Sequence, residues 1–269
     1  MLRLPISKLE DGMILGQSLF NTAGGSYLVK GRPVTIEYIR KLRQLGIQTV
    51  TVTSMDPRHR VAPPPDVIEE KTRVKAISAV YDTFQSVTEN GTLDAAPLEK
   101  VADAIVFDLF NNRENLVQLT DIRMHDAYTF AHSVNVAVLS AMMGMLCHLP
   151  KEEISLITLG GLLHDLGKID VEYEILNKDR SLTQTEFEMI RQHPSAGARR
   201  IVKMHNLPKT SILAAIAGQH HEHIDGTGYP RGIKGDEIHR FAKITAIADV
   251  YDALTSERPY KKAYMPNIA

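Results

Sequence analysis

The chain has 269 residues, 43% of them hydrophobic, with a formal net charge of −1 and a pI near 6.8. This is enough apolar material for one large or two smaller buried cores, and it lacks the basic footprint that duplex DNA demands. The lone cysteine, Cys147, excludes a disulfide framework and a cysteine-based zinc site, and it suits a reducing cytoplasm.

No basic stretch followed by an apolar core opens the chain, so a signal peptide is not expected. Residues 13–20 and 26–29 are short apolar runs flanking Asn21-Thr22-Ala23-Gly24-Gly25, a hairpin signal. Ile36, Ile39, Leu42 and Leu45 then fall at helical spacing up to Gly46, and residues 48–53 alternate Thr and Val as a half-buried strand does. Residues 1–55 are therefore expected to form a small hairpin-helix-strand α+β module. It carries no catalytic constellation, and sensing, dimerising or docking all fit its composition. Residues 56–66 contain Pro57, Pro63, Pro64 and Pro65 and read as a linker.

From residue 67 onward the chain reads as mainly α, with helices over 67–88, 98–119, 127–149, 152–166, 184–192, 194–204, 210–221 and 236–256. Residues 127–150 contain no Asp, Glu, Lys or Arg and could span a bilayer by length. Yet Thr129, His132, Ser133, Asn135, Ser140 and His148 are costly in lipid, so a buried central helix is expected instead.

The chemistry concentrates in this helical part. His164-Asp165 closes an apolar helical run just before Gly167-Lys168, and His193, His220-His221 and Asp249 follow, with His132 upstream. A lone histidine on an apolar helix is ordinarily a core residue with a hydrogen-bond partner; the joint pattern is what points to a metal. Adjacent helical residues diverge by about 100°, so His164 and Asp165 share a site only across a helix end. The expected division places His132, His164, Asp165 and Asp249 on one cation, and Asp165, His193, His220 and His221 on a second, with Asp165 bridging. Nitrogen and oxygen ligands without thiolate suit iron or manganese. Two such ions about 3.5–4 Å apart can activate a bridging hydroxide for attack at phosphorus. Lys168 is placed to donate to a non-bridging phosphate oxygen. His59, His125, His148, His205, His223 and His239 lack this context and read as surface or packing residues.

The pattern His…His-Asp…Asp resembles the HD superfamily of metal-dependent phosphohydrolases. Two longer stretches narrow the resemblance to the HD-GYP family: residues 220–230, ending Gly228-Tyr229-Pro230, and residues 249–261, with Arg258-Pro259-Tyr260-Lys261. It covers roughly residues 120–264, and the module before residue 56 also looks like one that precedes such domains. The resemblance implies a helical phosphohydrolase domain over 67–269 that hydrolyses cyclic di-GMP to linear pGpG, with GMP as a further product left open. Its metal ligands fall on the same seven residues, with Asp165 and Lys168 as the catalytic pair. Its substrate contacts fall on Lys168, Gly228, Tyr229, Pro230, Arg258 and Lys261, with Asp225 and Gly226 shaping the loop. It admits diguanylate cyclase (GGDEF) proteins as partners through that loop, and a homodimer. Another cyclic dinucleotide such as cyclic GMP-AMP, or binding without turnover, stays open.

Two departures are noted. Some members hold a third metal with a glutamate four residues before the first ligand histidine; Tyr128 stands there, so two ions are expected. Related domains also continue with further helices beyond the position of Ala269, so a shortened C-terminal end is expected.

Overall fold

The computed structural model describes residues 2–16, 18–20, 26–44, 47, 49–53, 67–92, 94–112, 128–176, 178, 181–204, 207–255 and 268. The proposed linker, the turn at 21–25, Arg258 and Lys261 lie outside the described residues, as does the side chain of Tyr128.

In the N-terminal part, β1 (Leu2–Pro5) pairs antiparallel with β4 (Thr49–Val52), and β2 (Leu19–Phe20) pairs with β3 (Ser26–Leu28). The second pair is the expected hairpin. The partner of β4 is not legible from residues 2–5, which are too short and proline-ended to carry a strand pattern. Helix α1 (Ile36–Gln44) buries Ile39 and Leu42 against Leu15, Val34, Val50 and Val52, a cluster of its own separate from the main core.

Ten α-helices fall among the described residues. Helix α2 (Glu70–Asn90) buries Ile77, Val80 and Phe84 and ends at Gly91, whose φ of 67° supplies the left-handed cap. Helix α3 (Ala96–Asn111) packs on it, and both contact α4 (Tyr128–Leu146). Helix α4 is enclosed on several sides by α2, α3, α5 (Lys151–Leu163) and α10 (Arg240–Thr255), which is why it carries no charge from residue 128 to 146. Among the described residues no helix is long and apolar enough to cross a membrane.

A 3-10 turn over Leu166–Asp170 follows α5, so the single helix expected over 152–166 breaks at its functional end. Short α6 (Tyr173–Leu176) and α7 (Gln184–Ile190) lead to α8 (His193–Val202), which packs on that turn and on α9 (Thr210–Gln219). A capping box between Thr183 and Glu186 starts α7. Phe241, only 1% exposed, meets Ile157 and Ile216 and so joins the three helices that lead to His164, His220 and Asp249. Phe241→Ala is expected to destabilise the fold by about 3–5 kcal/mol, read as a shift in urea midpoint with unchanged slope.

Candidate metal centre

The functional side chains arrive at helix ends. His164 and Asp165 sit just past Leu163, the last residue of α5; His193 is the first residue of α8; His220 and His221 follow Gln219 of α9. His132 and Asp249 come from within α4 and α10. Two close approaches let these ends meet. A Cβ on Gly167 would lie 1.9 Å from the His193 carbonyl oxygen, so only glycine allows the turn after α5 to touch α8. A Cβ on Gly228 would lie 2.2 Å from the His223 nitrogen, so the 222–238 loop folds tightly back on itself. Buried Glu222 accepts from the backbone nitrogens of Arg231 (2.7 Å) and Ile233 (3.2 Å), and the Tyr229 nitrogen donates to the His221 carbonyl at 3.0 Å. This places the Tyr229 ring 4.7 Å from that of His221, stacked. Asp225 shapes the same loop by accepting from the Thr227 nitrogen (2.9 Å) and hydroxyl (2.7 Å).

All seven expected ligand residues converge. His132, His164 and Asp249 form one group and His193, His220 and His221 another, the potential ligand atoms of each lying within 4.8 Å of one another. Asp165 lies between them. Its Oδ2 is 3.3 Å from His164 Nε2 and 3.9 Å from His132 Nε2; its Oδ1 is 3.3 Å from His193 Nε2 and 3.9 Å from His220 Nε2. Asp165 thus faces both groups at 3.3 Å, as a bridging ligand must, whereas Asp249 lies 3.0 Å from His132 Nε2 but 3.8 Å from His221 Nδ1.

The residues fit a cation on electrostatic grounds. The Nδ1 atoms of His164, His193 and His220 lie at 2.7, 2.7 and 2.9 Å from the carbonyls of Gly161, Ile190 and Ala217. In the neutral tautomer this leaves each Nε2 as a lone pair pointing inward. His193 Nε2 and His220 Nε2 then confront each other at 3.3 Å, acceptor against acceptor. His164 Nε2 and Asp165 Oδ1 are buried without a hydrogen-bond partner, a costly state that a cation would relieve.

Protonation follows the same geometry. Burial, then the neighbouring imidazoles, hold His220 well below its ordinary pKa, and burial brings His221 down to about 3 against the pull of Asp249. Burial favours neutral Asp165, but His164 and Lys168 outweigh it and hold the carboxyl well below its usual range. His132 is the exception. Burial opposes its charge, yet hydrogen bonds to Asp249 and Asp252 raise it to about 10, so without metal a proton stabilises this corner.

Lys168 Nζ donates to Asp165 Oδ2 at 2.6 Å. Pro230 follows Tyr229 through a cis peptide bond. Three residues support the site in roles that the sequence reading did not assign. Asp252 pairs with His132 Nδ1 at 2.6 Å, Asn135 donates to Asp252 at 2.9 Å, and Arg191 places its guanidinium carbon 4.8 Å from the Tyr229 ring centre. The first two have a readable signal. Asn135 is three residues past His132 on α4, and Asp252 three past Asp249 on α10, so each shares a helix face with a ligand. Arg191 has no such signal.

Comparison with known proteins agrees with this geometry. Residues 110–269 match the HD domain family. A cyclic di-GMP phosphodiesterase of Pseudomonas aeruginosa is 36% identical over 190 residues, covering 71% of this chain and 45% of the relative. A 3'3'-cGAMP-specific phosphodiesterase of Vibrio cholerae is 39% identical over 136 residues, covering 51% of this chain and 29% of the relative. The chain thus spans less than half the length of these curated relatives. Among solved structures, an HDG"Y"P protein of Bdellovibrio bacteriovorus superposes with a TM-score of 0.57 at 21% identity, covering 94% of this chain and 87% of that one. That likeness establishes the shared helical fold.

Proposed function

We propose that this chain, which belongs to the HD domain family, is a metal-dependent phosphodiesterase that hydrolyses cyclic di-GMP to linear pGpG. The observation that carries the reading is the placement of one carboxylate, Asp165, with an oxygen towards each of two ligand groups.

His132, His164, Asp165 and Asp249 would hold one divalent ion and Asp165, His193, His220 and His221 a second, with iron or manganese suited to these donors. Such ions supply Lewis acidity towards phosphoryl oxygens and acidify bound water. The protein's own groups then divide the remaining work. Lys168 presents one N–H to Asp165 and has two more donors for a phosphate oxygen, so it links the centre to the charge that develops on phosphorus. Tyr229 is half-buried, and burial, followed by the nearby Asp249 and Asp165, raises its phenol so that it remains a hydrogen-bond donor. The Gly228-Tyr229-Pro230 segment would form one wall for the nucleotide, and Arg258 and Lys261 would orient its second phosphate. Diguanylate cyclase (GGDEF) proteins docking on this loop, self-association, and a location in the cytoplasm belong to the same reading.

A second reading, hydrolysis of 3'3'-cGAMP, is favoured by the likeness to the Vibrio cholerae enzyme. Chromatography of products from both dinucleotides, with chain loaded anaerobically with ferrous iron or manganese, separates the two. Faster formation of pGpG supports the proposal; preferential cleavage of cGAMP replaces it with the second reading. Tight binding of cyclic di-GMP with no product would make the chain a receptor.

A further inference from the structure

The environment of His132 differs from that of the other ligand imidazoles. His164, His193 and His220 are oriented by backbone carbonyls, which no substitution removes. Both ring nitrogens of His132 meet side-chain carboxylates. Its Nδ1 lies 2.6 Å from Asp252 Oδ2; Asn135 Nδ2 donates to Asp252 Oδ1 at 2.9 Å; and Arg73 donates from its guanidinium to Asn135 Oδ1 at 3.1 Å. Arg73, Asn135, Asp252 and His132 are each no more than 5% exposed.

This series has a fixed polarity, set by the acceptor-only Asp252 carboxylate on one side of Asn135 and the donor-only Arg73 on the other. A guanidinium has donors only, so it requires the oxygen of the Asn135 amide to face it. The amide nitrogen must then face Asp252 and occupy one carboxylate oxygen. The other oxygen accepts from His132 Nδ1, which leaves Nε2 aimed at Asp249 Oδ1, 3.0 Å away. A flipped amide would set N–H against N–H at one end and oxygen against oxygen at the other. Burying a guanidinium is expensive, and the planar fork suits it to holding a partner in one geometry. Arg73 belongs to α2, which precedes the matched residues 110–269.

We infer that Arg73 is a positioning residue for the metal centre, acting through Asn135 to hold the Asp252 carboxylate, and with it the ring of His132, in place. The inference rests on His132 and Asp249 being metal ligands and is independent of the substrate. It makes α2 a working part of the site, although the family match begins only at the end of α3.

Manganese titration of the whole chain, following free Mn(II) by electron paramagnetic resonance, tests it. Arg73→Met is expected to weaken one equivalent of bound ion by about 10- to 100-fold and leave the other unchanged. Arg73→Lys, which keeps donors, should recover part of that loss. Val80→Ala is the control: it is fully buried on α2 and outside the series, and should lower the melting temperature without altering either affinity. If Arg73→Met does not fold, Asn135→Leu breaks the next link and should show the same selective loss. Unchanged affinities in Arg73→Met or Asn135→Leu would overturn the inference, as would an equal loss in Val80→Ala. Absence of bound ion from the unsubstituted chain would defeat the metal assignment itself, whereas failure to cleave cyclic di-GMP with metal bound would leave this inference standing.

Discussion

Alanine at both His164 and Asp165 is expected to remove bound metal and lower cyclic di-GMP turnover by about 10³-fold or more. Asp165 is buried between the ligand groups with an oxygen 3.3 Å from an imidazole of each, and His164 shares its Oδ2 side. Without them, His132 and Asp249 keep each other company on one side, and three imidazoles are left on the other. Ions that stabilise a phosphoryl transition state are worth several kcal/mol, and each 1.36 kcal/mol is about tenfold in rate. Elemental analysis and product chromatography on the same preparation check this, with circular dichroism confirming retained helix. Hydrolysis at the unsubstituted rate would refute the assignment of the centre.

Gly167→Ala is expected to be among the most damaging single changes in the chain. The added carbon would meet the His193 carbonyl oxygen at 1.9 Å and the Gly197 nitrogen at 2.5 Å. Both atoms are backbone on α8, so no change of side-chain rotamer relieves the clash. The turn must withdraw from α8, at a cost of about 3 kcal/mol or more. Because His193 begins α8 and Lys168 follows Gly167, the same movement opens the centre and should weaken metal binding. Gly91→Ala provides the contrast. Its φ of +67° is strained for alanine, but no atom lies within 4 Å, so about 1 kcal/mol is expected. Urea midpoints of the two variants decide. A Gly167→Ala protein as stable as Gly91→Ala would mean that the turn and α8 are less tightly joined than described.

Much of this molecule is legible from its residues. Charge-free helix α4 reads as central because polar groups such as His132, Ser133 and Asn135 are intolerable in lipid, and the structure encloses it between other helices. His164-Asp165 reads as a shared site only across a helix end, and α5 indeed stops at Leu163. His193 reads as part of the joint ligand pattern just before a helix expected over 194–204; it begins α8 and faces Asp165.

What escapes the sequence is long-range pairing. Strand β1 exists because β4 offers it a partner from Thr49 to Val52, which no local pattern in Leu2–Pro5 announces. The break between α5 and the Leu166–Asp170 turn follows from contact with α8, again a tertiary effect. Arg73 looks like any charged residue on an amphipathic helix, and only the positions of α4 and α10 turn it inward towards Asn135. The Arg191 contact with Tyr229 likewise depends on a loop returning from more than thirty residues away.

Crystals of anaerobically purified chain, with diffraction recorded on either side of the iron and manganese absorption edges, address the central claim most directly. Two anomalous peaks are expected, one enclosed by His132, His164 and Asp249, the other by His193, His220 and His221, with Asp165 touching both. Imidazoles meeting only each other and water, with no anomalous density among them in active protein, would contradict it.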